Sequence, residues 1–326
     1  MGLVLNAVLP VFLLAMLGFF LFRIGFITRE VSAGINQLVY WVGLPCLLFH
    51  KISRQQMEWD SVAHVLVAFF SALGITLLLA YLVAWFFQVE RGSIGAFVQA
   101  AYRGNLGFIG LPIVLYSVPV ETMERSEAIA VVALAPCAIG FNIIAVLLMV
   151  VHQPAVGESR SRFLFSFSTN PLIIGGLLGA AVALAEVRVP LFLDRSLEQL
   201  SNMSIPVALL GLGSSFGVFA AGGFSRQLIR TAAAATLLKV VVSPLLGVLV
   251  SWLMALDPVE ARIVVIYLAT PTAIASHVLV AQFRGDEKLG ATSIVSATIA
   301  SVIFLPLALW ITRAEVWEIL VPGLSR

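Results

Sequence analysis

The chain has 326 residues, of which 60% are hydrophobic and 11% charged, with a net charge of +2 and a mean hydropathy of +1.05. Soluble domains carry about 25% charged residues, so this composition excludes a water-soluble protein and makes the bilayer the solvent. The small net charge, with no basic run, excludes a nucleic-acid partner; Cys46 and Cys137 lie in apolar stretches without metal-ligand spacing and read as small buried residues.

The first apolar run covers residues 3–22. No basic residue precedes it and no small-residue cleavage site follows before Arg23, so it reads as a retained transmembrane helix rather than a signal peptide. A spanning backbone must close its own hydrogen bonds, which makes each long apolar run a helix. Ten are predicted: 3–22, 33–51, 61–87, 93–116, 127–151, 169–187, 196–219, 227–254, 259–283 and 289–312. A β-barrel is excluded because these runs are continuous, not alternating. Trp59, Trp85, Trp252, Trp310 and Trp317 fall near the expected boundaries, where amphipathic rings settle.

The loops are short. The longest, 152–168, contains His152, Pro154, Gly157, Arg160 and Arg162 and divides the helices five and five. The expected organisation is therefore a first five-helix unit over 1–151, a short cytoplasmic loop over 152–168 and a second unit over 169–326. Lys and Arg divide almost evenly between the two sets of loops, so the positive-inside rule gives only a slight bias. It puts the loops after odd-numbered helices in the cytoplasm and both termini of this multi-pass cell-membrane protein outside.

The two halves echo each other. Asn36-Gln37-Leu38 then Leu44-Pro45 in helix 2 correspond to Glu198-Gln199-Leu200 then Ile205-Pro206 in helix 7. Leu111-Pro112 in helix 4 corresponds to Thr270-Pro271 in helix 9, so an in-helix proline recurs in the second and fourth helix of each half. Five is odd, so two similar five-helix units must point in opposite directions across the membrane. Inverted repeats with interrupted helices in matching positions mark secondary transporters, because near-equivalent halves give two near-isoenergetic states.

Within helix 4, Gly104, Gly107 and Gly110 recur every three residues near one face, and Pro112 lacks an N–H and clashes with the carbonyl four residues back. Together they predict a break, with a second half-helix starting near Pro112. Its free N–H groups would form an anion site at the midplane; a packing kink is the alternative. Helix 9 is expected to break similarly at Pro271, with Thr272, Ser276 and His277 near a ligand. Arg103 and Lys239 lie near the centres of their helices, where each costs about 2.5–3.5 kcal/mol without a partner or a wet cavity. No acid is expected at that depth, which favours an anionic ligand; contact with backbone carbonyls freed at the breaks is the other reading. His277 could carry a proton or stay a neutral hydrogen-bonded side chain. Gln99, Asn142 and Asn202 read as glue between helices, and Gly175, Gly179, Gly213 and Gly217 as packing positions. Asn170-Pro171 reads as a cap and first-turn proline opening helix 6.

Gly104-Asn105-Leu106-Gly107-Phe108-Ile109-Gly110-Leu111-Pro112 resembles the fourth-helix signature of the auxin efflux carrier family, which includes plant PIN-type exporters and bacterial relatives. Asn170-Pro171-Leu172-Ile173-Ile174 resembles that family's opening of helix 6, and Pro271 with Ala273 and Val278-Leu279 its ninth helix. The resemblance implies ten helices in a five-plus-five inverted repeat, a scaffold beside a transport domain, and helices 4 and 9 crossing where they unwind, at Pro112 and Pro271. It implies a substrate carboxylate held near that crossing by an asparagine, which Asn105 matches. The second asparagine of the plant pattern is absent, since 275–277 read Ala275-Ser276-His277. The bacterial relatives imply malate, malonate and similar carboxylates, which suits the extra cation Arg103. A cytoplasmic loop between helices 5 and 6 and a homodimer are implied as well.

The expected fold class is thus an all-α polytopic membrane protein of ten transmembrane helices with helices 4 and 9 broken. The expected function is secondary transport of small organic anions, with substrate-binding residues Arg103, Asn105, Gly110, Pro112, Pro271, Thr272, Ser276 and His277, and Lys239 or His277 in coupling. A sodium-coupled symporter of the bile-acid type, with Thr270, Thr272 and Ser276 near the ion, is the alternative, and a channel or receptor a third. The sequence contains no His-Glu-x-x-His, paired intramembrane aspartates or nucleophile-elbow motif, so no enzyme and no cofactor are expected.

Overall fold

The computed structural model describes residues 2–54, 58–152, 171–185, 187, 189–219 and 225–320. The expected cytoplasmic loop beyond His152 lies outside them, as does Asn170. Among the described residues the chain is helical, with no strand. In chain order the α-helices are α1 (Gly2–Arg23), α2 (Arg29–Leu38), α3 (Leu44–Ile52), α4 (Trp59–Phe86), α5 (Arg91–Tyr102), α6 (Leu111–Ser117), α7 (Met123–His152), α8 (Pro171–Leu184), α9 (Leu191–Phe219), α10 (Arg226–Leu237), α11 (Ser243–Leu253), α12 (Pro258–Ala269), α13 (Ile274–Gln282), α14 (Glu287–Ile311) and α15 (Ala314–Leu320). Each predicted apolar run falls on one of these or on a consecutive pair. Among the described residues, Arg29–Ile52, Trp59–Phe86, Val120–His152, Arg226–Leu253 and Glu287–Ile311 are long and apolar enough to cross a membrane.

Three runs stay continuous through a proline by widening one turn. Leu44, Leu111 and Ser243, each just ahead of a proline, donate to the carbonyls of Val39, Leu106 and Leu238, five residues back. Proline cannot donate and its ring crowds the preceding turn; a π turn relieves that clash without ending the helix. The four matched prolines are therefore not equivalent in the structure. Pro45 and Pro112 follow π turns, Pro206 sits inside the uninterrupted α9, and Pro271 lies within a true break.

Packing sorts the helices into two groups. α1 lies along α9, and α3 packs on α8 and α9. The other group gathers α4, α5, α7 and α10 to α14. In the first group two glycines bring backbones into contact: a Cβ on Gly213 would lie 1.7 Å from the Ala15 carbonyl oxygen, and one on Gly18 2.1 Å from that of Leu210. Gly175 and Gly179 do the same for α8 against the carbonyls of Pro45 and Phe49. Such close approach is how helices associate where lipid removes the hydrophobic drive. The surroundings of Gly217 lie outside what is described. Among the described residues, the ion pair that joins the groups is Lys51 with Glu127 at 2.6 Å.

Trp59, Trp85, Trp252 and Trp310 are exposed, as boundary rings should be. Trp317 differs: it is buried, and its indole N–H donates to the Leu256 carbonyl at 2.9 Å, which ties α15 to the turn before α12.

Gly213→Ala is expected to lower stability by about 1–3 kcal/mol, the usual cost of overpacking, because its methyl meets backbone and not a side chain that can swing away. Thermal melting of the purified protein checks this; an unchanged midpoint would mean that α1 and α9 are not in backbone contact.

Candidate functional site

Two helices are interrupted, and the interruptions meet. α5 ends at Tyr102 and the chain resumes as helix at Leu106; α12 ends at Ala269 and resumes at Ile274. Between them the Asn105 amide donates to the Pro271 carbonyl, and the Ala273 amide to the Arg103 carbonyl, each at 2.9 Å. These two bonds pair Gly104 with Thr272 in antiparallel fashion. The break in the first helix thus spans Arg103 to Asn105, ahead of the expected start near Pro112, and Pro112 sits inside the second half. The cause is local: Asn105 turns out of the helix and its Oδ1 accepts from the Phe108 amide at 3.3 Å, capping the new helix start, while the π turn absorbs Pro112.

Only a glycine fits at position 104. A Cβ there would lie 2.2 Å from Thr270 Oγ1, 3.1 Å from Lys239 Nζ and 3.2 Å from the Tyr267 carbonyl oxygen. Gly110 also faces Tyr267 and Thr270, but Gly107 faces Leu44, so the three glycines do not share one face. The break between 104 and 106 and the π turn after it shift the register.

A cavity of about 860 Å³ opens on one side of the junction. Arg103, Asn105 and His277 line it, with Asn36 and Gln37 from α2 and Asn142 from α7 opposite and beside them. Arg29, at the start of α2, lines it too. No acidic side chain does so among the described residues. Arg103 is only 7% exposed, and its guanidinium donates to neutral acceptors alone: Gln99 Oε1 at 3.4 Å, the Ala275 carbonyl at 3.3 Å and Asn142 Oδ1. Among the described residues the charge of Arg103 therefore has no carboxylate against it. Asn105 spends its amide oxygen on the cap, which leaves its –NH2 as the donor it can offer.

The other predicted site residues stand behind this wall. Thr272 Oγ1 donates to the Ala100 carbonyl at 2.8 Å, and Pro271 serves through its carbonyl. Gly110 and Pro112 are buried in packing, and Ser276 Oγ is buried without a partner among the described residues. Lys239 is fully buried and donates to the Leu268 carbonyl at 2.6 Å. Sequence reasoning took Asn142 and Gln99 for glue between helices and did not single out Arg29. Asn142 holds Arg103 and reaches the cavity, and no spacing in the sequence marks that, since the two side chains come from different helices.

The sequence model of a family described as membrane transport protein matches residues 3–311. An uncharacterized transporter of Methanocaldococcus jannaschii is 24% identical over 321 residues, an alignment covering 94% of this chain and 98% of that one. The uncharacterized transporter YfdV of Escherichia coli is 22% identical over 314 residues, covering 94% and 96%. A protein of Rhizobium meliloti named "Putative malonate transporter" is 25% identical over 323 residues, covering 94% and 95%.

Asn105→Ala is expected to cost about 0.5–2 kcal/mol through the lost cap, and Asn105→Asp to recover most of that, since a carboxylate caps equally well. Melting of the two variants tests it; equal loss in both would remove the cap as the reason for asparagine here.

Proposed function

The chain belongs to the auxin efflux carrier-like family of membrane transport proteins, and from that premise we propose that it is a secondary carrier of small carboxylate anions. The observation that carries this reading is the lining of the cavity: Arg103 and Arg29, neutral hydrogen-bonding side chains, and no acid among the described residues. A guanidinium held by neutral acceptors in a low-dielectric site is costly alone and is relieved by an anion. The half-helix starts at Leu106 and Ile274 add the positive ends of two helix dipoles beside it. The relative whose name assigns it malonate supports the same class of substrate.

In this reading the ten helical runs cross the membrane as two inverted sets of five, and the two interrupted helices cross at their junction. Transport then proceeds by alternating access, the second group of helices moving against the first. Two placements support it. The cavity reaches Arg29 at one end of the second predicted helix, whereas the Lys51–Glu127 pair between the groups lies at the other end, about 33 Å away at 1.5 Å per residue. A cavity open at one end and an ion pair closing the other is what one half of an alternating cycle requires. With both termini outside, the open end is cytoplasmic.

Dicarboxylates are expected to raise the melting temperature of the purified protein, since a ligand that binds the folded state stabilises it. Arg103→Gln should weaken that binding about tenfold to a hundredfold, the worth of a hydrogen bond to a charged group. Unchanged affinity in Arg103→Gln, or stabilisation by cationic compounds only, would overturn the reading.

A further inference from the structure

The junction has a charge balance of its own. Both α5 and α12 end there, at Tyr102 and Ala269, and each helix C-terminus carries roughly half a negative charge. The half-helix starts at Leu106 and Ile274 bring two ends of opposite sign to the same junction, so the dipoles cancel in sum and act locally, each on the groups its own end faces. The interruptions also free carbonyls that a continuous helix would have used. Three of them have side-chain donors. The Ala100 carbonyl accepts from Thr272 Oγ1 at 2.8 Å, the Tyr267 carbonyl from Thr270 Oγ1 at 2.7 Å, and the Leu268 carbonyl from Lys239 Nζ at 2.6 Å. Lys239 comes from a third helical run, at the π turn Leu238–Val242, and has no acidic partner among the described residues.

We propose that the Lys239 ammonium is the resident cation of this junction, standing where carbonyls and hydroxyls of an interrupted helix would otherwise gather an alkali cation, so that ligand binding needs no sodium. The positive charge of Lys239 sits at the α12 end, where its Nζ reaches the Leu268 carbonyl at 2.6 Å. The hydroxyls of Thr270 and Thr272 donate their protons to the Tyr267 and Ala100 carbonyls. Gly104 stands between Lys239 and the cavity: it lines the cavity, and a Cβ on it would lie 3.1 Å from Nζ. The ammonium therefore also lends its field to an anion in the cavity without touching it. Sodium-free transport follows only with the carrier reading above, whereas the junction's own need for a cation does not depend on it.

The test reads the junction without any carboxylate present. The purified full-length protein is melted in choline chloride and in sodium, potassium or lithium chloride at equal ionic strength, as wild type, Lys239→Ala and Lys239→Met. The wild type is expected to melt at one temperature in all four salts. Lys239→Ala should melt lower in choline and regain part of the loss in sodium, saturably, because removing the side chain leaves room for a cation among the freed carbonyls. Lys239→Met should melt lower and not recover, since the thioether fills that room. Saturable stabilisation of the wild type by sodium would overturn the proposal, and so would a folded Lys239→Ala that ignores all three cations. Should Lys239→Ala fail to fold in every salt, the wild type decides: dicarboxylate binding equal in choline and sodium upholds the proposal, and a sodium requirement sinks it. An absence of any carboxylate effect beside a cation-rescued Lys239→Ala would count against the carrier reading alone.

Discussion

Two backbone hydrogen bonds, from Asn105 to Pro271 and from Ala273 to Arg103, are the constraint on which the site depends. A helix that stops inside a bilayer leaves amides and carbonyls with no water to take them, at several kcal/mol each. One interrupted helix alone would not persist. Two interrupted helices that pair at their breaks supply each other with partners, and side chains add more: Asn105 caps a helix start, and Thr270, Thr272 and Lys239 donate to freed carbonyls. Gly104 is required because the two breaks can approach only where one of them has no Cβ. The site is thus a solved hydrogen-bond problem first, and a recognition surface as a consequence of it.

The same geometry separates charge across a few residues. The α12 end, with negative character, faces Lys239 on the buried side through the Leu268 carbonyl, and half-helix starts with positive character lie beside the cavity with Arg103. Lys239 is engaged by the Leu268 carbonyl on the buried side of the junction. Arg103 is held in place by Gln99, Asn142 and the Ala275 carbonyl but not neutralised by them. Two intramembrane cations that look alike in the sequence therefore differ in what they offer: one is committed to the junction, the other is exposed to whatever enters the cavity. That contrast is the physical basis for reading the cavity as an anion site and the junction as self-sufficient in cation.

Glycines set the distances elsewhere in the same way. Gly213 against Ala15 and Gly175 against Pro45 bring helix backbones together in the first group, and Ser32 with Ser214 and Asn36 with Ser215 tie α2 to α9 at 2.7 and 3.0 Å. The second group, which carries both interrupted helices, packs on the first directly, faces it across the cavity, and is tied to it by Lys51 and Glu127. Asn36 works on both sides of that boundary, since it bonds Ser215 and lines the cavity.

The sequence by itself determined that the chain lives in a membrane, where its helical runs lie, that glycine and proline strings interrupt two of them, and that Arg103 and Lys239 are cations at depth. Those follow from composition, run length and residue type, which are local properties read along one strand of chain. It misplaced the break at Pro112, because whether a proline ends a helix or only widens a turn depends on whether a neighbour accepts the freed groups. It took Trp317 for a boundary ring for the same reason, since its partner Leu256 arrives from elsewhere in the chain, and it read Asn142 as glue between helices without naming Arg103 as the partner. Only the tertiary structure decided that the two breaks pair, that Lys239 answers one of their carbonyls, and that Arg29, Arg103, Asn105 and His277 border one cavity. Contacts between segments more than a hundred residues apart leave no periodic trace in a single sequence, and in a bilayer it is those contacts that settle which buried polar group is satisfied and which is left for a ligand.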